Sequence, residues 1–161
     1  MIRPVTLEDA KQIVAIYNHY VLNTVVTFDE TPFSVEDFEH KIASISSQYP
    51  FIVYEEAGEI LGYAYANKWR EKAAYKYSVE STIYLKPEAL GKHLGSLLYS
   101  ELIQLLKAEK YHAVVGGLTL PNEASVKLHE KFGFEKVAHF KEVGLKFNTW
   151  LDVGFWQLTL D

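Results

Sequence analysis

Strict alternation along one segment constrains this chain more than any other feature. From Tyr75 to Leu85, the residues Tyr75, Tyr77, Val79, Ser81, Ile83 and Leu85 fall on one side, and Lys76, Ser78, Glu80, Thr82 and Tyr84 on the other. That is the period of two a β-strand imposes. Lys86-Pro87 closes the strand, because proline has no N–H to give to a ladder. The chain then enters a glycine-bearing loop, Leu90-Gly91-Lys92-His93-Leu94-Gly95-Ser96, and a helix with Leu98, Leu102, Leu105 and Leu106 on one side. Ala113-Val114-Val115 opens the next strand.

The remaining segments arrange themselves around this unit. Thr6-Leu7-Glu8-Asp9 reads as a capped helix start, followed by Ala10, Ile13, Ile16, Tyr17 and Tyr20 at helical spacing. Thr31-Pro32 breaks the chain, and Ser34 caps a second helix carrying Val35, Phe38, Ile42 and Ile45. Phe51 to Tyr54 and Ile60 to Asn67 form a hairpin around Ala57-Gly58. Leu120-Pro121-Asn122 leads into a short helix for which Gly133 is the C′ residue. Two antiparallel strands, one running through Val143 and one through Val153-Gly154-Phe155-Trp156, close the chain. The order predicts an α/β fold with a mixed sheet, in one domain spanning residues 1–161.

Composition removes several functions. Acidic residues outnumber basic ones by 21 to 16, a net charge of −5, so no basic stripe is available for nucleic acid. With no cysteine there is no disulfide, thiolate metal site or cysteine nucleophile, and the six histidines have no metal-ligand spacing. No apolar run approaches the ~20 residues that span a bilayer, and Met1-Ile2-Arg3-Pro4-Val5-Thr6 does not resemble a signal peptide. A cytoplasmic protein without membrane, metal or nucleic-acid partner is expected.

Three features carry candidate chemistry. Gly91 and Gly95 lie where a loop opens a helix, so backbone N–H groups could cradle a phosphate with Lys92 adding charge; an ordinary turn would look the same. Glu80 interrupts an apolar strand, either as a solvated outer-face residue or as a pocket base whose proton affinity burial raises. His129 is either a core-edge histidine or a proton donor near neutral pH.

Larger stretches decide among these readings. Val79-Glu80-Ser81-Thr82-Ile83-Tyr84, Leu120-Pro121-Asn122, Ser125-Val126-Lys127-Leu128-His129-Glu130 and Trp150 to Gln157, with Asn18-His19-Tyr20, Tyr49-Pro50 and Ala74-Tyr75, resemble the GNAT acyl-CoA N-acetyltransferases. Within them the match is closer to the phosphinothricin acetyltransferases. The resemblance implies a GNAT fold of six or seven mostly antiparallel strands and four helices. Two central parallel strands, here the one ending at Leu85 and the one beginning at Ala113, would splay to admit the pantetheine arm of acetyl-CoA.

It also implies roles. Backbone groups of Ile83, Tyr84 and Leu85 would hold the pantetheine. Gly91, Lys92, His93, Leu94, Gly95 and Ser96 would hold the pyrophosphate, with Tyr99, Asn122 and Ser125 as further cofactor contacts. Glu80 would deprotonate the amine and His129 would assist the leaving thiolate. Phe28, Lys72, Tyr75, Thr82 and Val153 would face the acceptor, a small amino acid such as phosphinothricin, methionine sulfone or methionine sulfoximine. A homodimer is implied as well. This chain departs from the superfamily loop pattern in having Leu90 at its first residue and His93 at its first glycine, which implies weaker coenzyme A binding. Lys72 stands where relatives have arginine, a point charge in place of a two-pronged donor. An acetyltransferase for an unrelated small amine and a catalytically silent acyl-CoA sensor remain open alternatives.

Overall fold

A computed structural model describes residues 1–161. Its elements are β1 (Ile2–Pro4), α1 (Ala10–Asn23), α2 (Val35–Ser46), β2 (Phe51–Glu56), β3 (Glu59–Lys68), β4 (Ser78–Leu85), α3 (Leu94–Ala108), β5 (Ala113–Leu120), α4 (Glu123–Lys131), β6 (Glu135–Lys146) and β7 (Thr149–Thr159). They form a seven-stranded sheet of order β1-β2-β3-β4-β5-β7-β6. Every neighbouring pair is antiparallel except β4 and β5. No helix is long and apolar enough to cross a membrane.

Helix ends follow local chemistry. The Thr6 N–H donates to Asp9 Oδ2 at 2.8 Å, and the chain makes one 3-10 turn, Leu7–Asp9, before α1. Ser34 and Asp37 cap α2 reciprocally, Asp37 N–H to Ser34 Oγ at 3.0 Å and Ser34 N–H to Asp37 Oδ2 at 2.8 Å. Gly133, at φ +91°, ends α4, with its own N–H on the Glu130 carbonyl and that of Phe134 on the His129 carbonyl. The paired bonds fix the last turn of α4, where His129 sits.

One boundary differs from the alternation. Tyr75 and Tyr77 lie outside β4, because Ala73–Tyr75 closes a 3-10 turn, Tyr75 N–H reaching the Lys72 carbonyl at 3.0 Å and Lys76 N–H the Ala73 carbonyl at 3.2 Å. These local bonds satisfy backbone groups that a longer strand would have left for the ladder.

Each face of the sheet carries its own core. α1 and α2 cover one, with Ile13, Tyr17, Phe38 and Ile42 against Val53, Tyr63 and Tyr65. α3 covers the other, with Leu98, Tyr99, Leu102 and Leu106 against Ala64, Val79, Val114 and Trp156. Residues of β4 therefore divide: Tyr84 packs edge-on against Tyr17 of α1, ring centres 5.2 Å apart, while Ser81 meets Tyr99 of α3.

Candidate active site

The two parallel strands stay together for only three residue pairs, Ser78 with Ala113, Val79 with Val114 and Glu80 with Val115. Beyond Glu80 they part, although β4 continues to Leu85 and β5 to Leu120. Main-chain N–H and C=O groups on the facing edges thus have no strand partner. The gap is a cavity of 90 Å³ between Ser81–Tyr84 and Gly117–Thr119, closed by Tyr99, Asn122, Ser125 and His129.

A buried polar chain walls this cavity. Ser81 Oγ lies 2.9 Å from Tyr99 Oη, which lies 2.7 Å from His129 Nε2; His129 Nδ1 lies 2.7 Å from the Ser125 carbonyl. A carbonyl only accepts, so Nδ1 carries hydrogen, and neutral His129 accepts the Tyr99 hydroxyl at Nε2. Ser81 then donates to Tyr99. Burial holds the imidazole below its ordinary value of 6.5, which keeps it neutral near pH 7. Gly116 of β5 leaves room for this ring; a Cβ there would lie 2.6 Å from His129 Nε2.

The cavity opens into a groove of 520 Å³, with Val26, Ile83, Tyr84, Asn122 and Ser125 lining both. Gly91 (φ +80°) and His93 (φ +62°) turn the chain sharply into α3, whose first residues Leu94, Gly95 and Ser96 line the groove with Leu85, Leu90, Gly91 and His93. Lys92 is exposed in the same loop and does not line the groove. Lys127 and Lys131 of α4 line the opposite wall, and Lys131 Nζ donates to Ser96 Oγ at 3.0 Å. Neither lysine stood out in the sequence, since only packing brings α4 beside the start of α3.

Glu80 and Thr82 share the α1 face with Tyr84. Glu80 is half-buried at the last paired position of β4, beside Asn67 of β3 and Val115 of β5. Burial pushes its carboxyl above the usual carboxylate value, and the Arg70 charge opposes this weakly. Thr82 lines the cavity. Phe28 packs its ring where a Cβ on Gly144 would lie, and Val153 pairs with Thr119 and Phe140. Lys72 and Tyr75 are exposed in the 3-10 turn before β4, and Lys72 forms no ion pair. Neither lines the cavity or the groove.

Comparison with known proteins agrees with this geometry. Residues 2–154 match the family model described as an acetyltransferase (GNAT) domain. A phosphinothricin N-acetyltransferase of Streptomyces coelicolor is 42% identical over 99% of this chain and 95% of its own length. An L-methionine sulfoximine/L-methionine sulfone acetyltransferase of Salmonella typhimurium is 37% identical over 95% of this chain and 90% of its own. The crystal structure of a GNAT superfamily phosphinothricin acetyltransferase from Sinorhizobium meliloti, in complex with acetyl-CoA, superposes with a TM-score of 0.96 at 36% identity, covering 99% of this chain and 88% of that one.

Proposed function

This chain belongs to the GNAT acetyltransferase family, and from that premise we propose that it transfers the acetyl group of acetyl-CoA to the α-amino group of a phosphinothricin- or methionine sulfoximine-like amino acid, with Glu80 as general base. The observation that supports the reading is the parting of β4 and β5 immediately after Glu80, a carboxylate of raised proton affinity at the last paired position, two residues before Thr82 of the slot lining and itself outside that lining.

The residues present suit acetyl-CoA. A long groove that narrows into a small cavity accommodates an arm with a bulky head, and the start of α3 facing Lys127 and Lys131 offers N–H groups and positive charge to a pyrophosphate. His93 keeps its backbone N–H, and its left-handed conformation meets the turn that glycine makes in the superfamily loop.

An ammonium has no lone pair to attack with, so the amine must first lose a proton. Glu80 takes it, directly or through one water. Bound acetyl-CoA would supply a thioester carbon that bonds to the freed nitrogen as the carbon–sulfur bond breaks and a thiolate departs; the acylated nitrogen then gives up its second proton, to the thiolate or to water, and becomes the amide. N–H groups on the open edge of β4 stabilise charge developing on the carbonyl oxygen. Neutral His129 has no proton on Nε2, so it assists the thiolate only once protonated. The chain then reverses, His129 to Tyr99 to Ser81, and turns the Ser81 hydroxyl toward the cavity. At higher pH the thiolate leaves unaided, since thiols ionise near pH ~8.5.

The reading includes a single catalytic domain and a cytoplasmic homodimer. Edge strand β6 and its turn into β7 support the dimer: Val137, Phe140, Val143, Leu145, Phe147 and Trp150 are each about half exposed or more, at 56, 50, 55, 49, 57 and 60%. Light scattering at micromolar concentration is expected to give twice the chain mass, and a monomer would refute it.

Thiol release from acetyl-CoA in the presence of phosphinothricin, methionine sulfone, methionine sulfoximine and unrelated amines tests the activity. The first three are expected to stimulate release, with Glu80→Gln slower by about 10²–10⁴-fold. Stimulation by unrelated amines alone would move the assignment to another acceptor. Coenzyme A binding without release for any amine would leave a sensor domain.

A further inference from the structure

Tyr20, in the last turn of α1, lines the groove together with Ile83, Tyr84 and Leu85 of β4. Its hydroxyl donates to the Leu85 carbonyl at 2.5 Å, across 65 residues of sequence. That carbonyl lies on the open edge of β4. The Lys86 N–H bonds across to the Leu61 carbonyl of β3 at 2.8 Å, and alternate residues of a strand turn their N–H and C=O groups the same way. Tyr84 and Thr82 therefore face β3, while Leu85 and Ile83 face the side that β5 has left. Packing holds the Tyr20 ring independently of its hydroxyl, with centres 5.2 Å from Tyr84 and 5.3 Å from His19. The turn after α1 is pinned separately. Thr24 Oγ donates to the Tyr20 carbonyl at 2.8 Å and accepts the Val26 N–H at 3.2 Å, and Lys146 Nζ donates to the Thr27 carbonyl at 2.7 Å. Burial and the Glu88 charge push the Tyr20 phenol up, so it stays a donor at neutral pH.

We propose that Tyr20 is a positioning residue that sets the register of the acyl-CoA arm, by occupying the Leu85 carbonyl so that Ile83 offers the free acceptor of the open edge. The arm of coenzyme A carries two amide N–H groups, and carbonyls two residues apart on one edge present the same acceptor about 7 Å along the strand. Bonding at Ile83 keeps the thioester toward Glu80. Bonding at Leu85 instead would draw it back by that spacing, beyond reach of an amine beside Glu80. A carbonyl can accept twice, but Tyr20 Oη already stands against this one within the groove lining. The kinetic consequence rests on the acetyl-transfer reading; the binding consequence rests only on the groove holding coenzyme A.

Tyr20→Phe removes one oxygen and frees the Leu85 carbonyl. Calorimetry is expected to find coenzyme A bound about two- to tenfold tighter, the net worth of one added hydrogen bond. The kcat and the acetyl-CoA KM should fall together by about that factor, with kcat/KM within about twofold of wild type. That paired fall marks an arm bound out of register, and loss of a merely structural contact would not produce it. Unchanged or weaker coenzyme A binding overturns the proposal. Tighter binding with an undiminished kcat overturns it as well, since the freed carbonyl would then serve the productive arm. Should Tyr20→Phe fail to fold, Tyr20→Met, which also lacks the hydroxyl, must show the tighter binding and the paired fall or the proposal falls. An enzyme that binds coenzyme A but acetylates no amine refutes the acetyl-transfer reading, and the ratio of the two dissociation constants alone then decides whether Tyr20 withholds Leu85.

Discussion

The Tyr99 hydroxyl donates to His129 Nε2 at 2.7 Å, and that direction is set from the far side of the ring, where Nδ1 meets the Ser125 carbonyl at 2.7 Å. Tyr99 is 1% exposed and His129 2%. Tyr99→Phe removes one oxygen and leaves both Ser81 and His129 without their partner. It is expected to cost about 1–3 kcal/mol of stability, read from denaturant midpoints. A change below about 0.5 kcal/mol would mean that water replaces the hydroxyl.

The lowered proton affinity of His129 links stability to pH. The folded state holds the neutral ring while the unfolded chain titrates near 6.5, so between that value and the lower folded one the unfolded state binds more protons. The stabilisation is complete above about pH 6.5 and is lost as pH falls toward the folded value. Denaturation midpoints should fall on acidification through this window, and His129→Asn should flatten the fall.

Glu80 has the opposite sign of linkage. Its raised proton affinity means that the folded state binds the extra proton, so this residue's contribution to stability declines as pH rises through its titration. Glu80→Gln is therefore expected to melt at or above the wild-type temperature at pH 7 while losing turnover. The kcat/KM of wild type is expected to have an acid limb above the ordinary carboxylate range, and that of Glu80→Gln to lack it. A variant both inactive and much less stable would point to a structural role.

Lys127 and Lys131 face the start of α3 across the groove. Replacing both with alanine is expected to raise the acetyl-CoA KM about tenfold, leave the amine KM unchanged and weaken the salt dependence of acetyl-CoA binding. Lys92→Ala, outside the groove, is expected to change the acetyl-CoA KM by less than about twofold.

Local signals located the elements. Caps at Thr6, Ser34 and Gly133 bond to groups within a few residues, so the sequence already contains both partners. Alternation through β4 predicted which residues share a face, and it failed only ahead of Ser78, at Tyr75 to Tyr77, where a 3-10 turn of equally short range intervenes. The resemblance to acetyltransferases added the splay between two strands, a relation that no periodicity encodes.

What the sequence determined by itself was the succession of elements, the faces of β4 and the placing of Glu80 ahead of a helix-opening loop, all consequences of spacing along the chain. The tertiary structure alone decided which charges serve the groove, which way the proton points between Tyr99 and His129, and that Lys146 reaches Thr27. Those outcomes depend on groups 30 and 119 residues apart meeting where water is excluded, and there a hydrogen bond's partner is set by packing, not by neighbourhood in the chain.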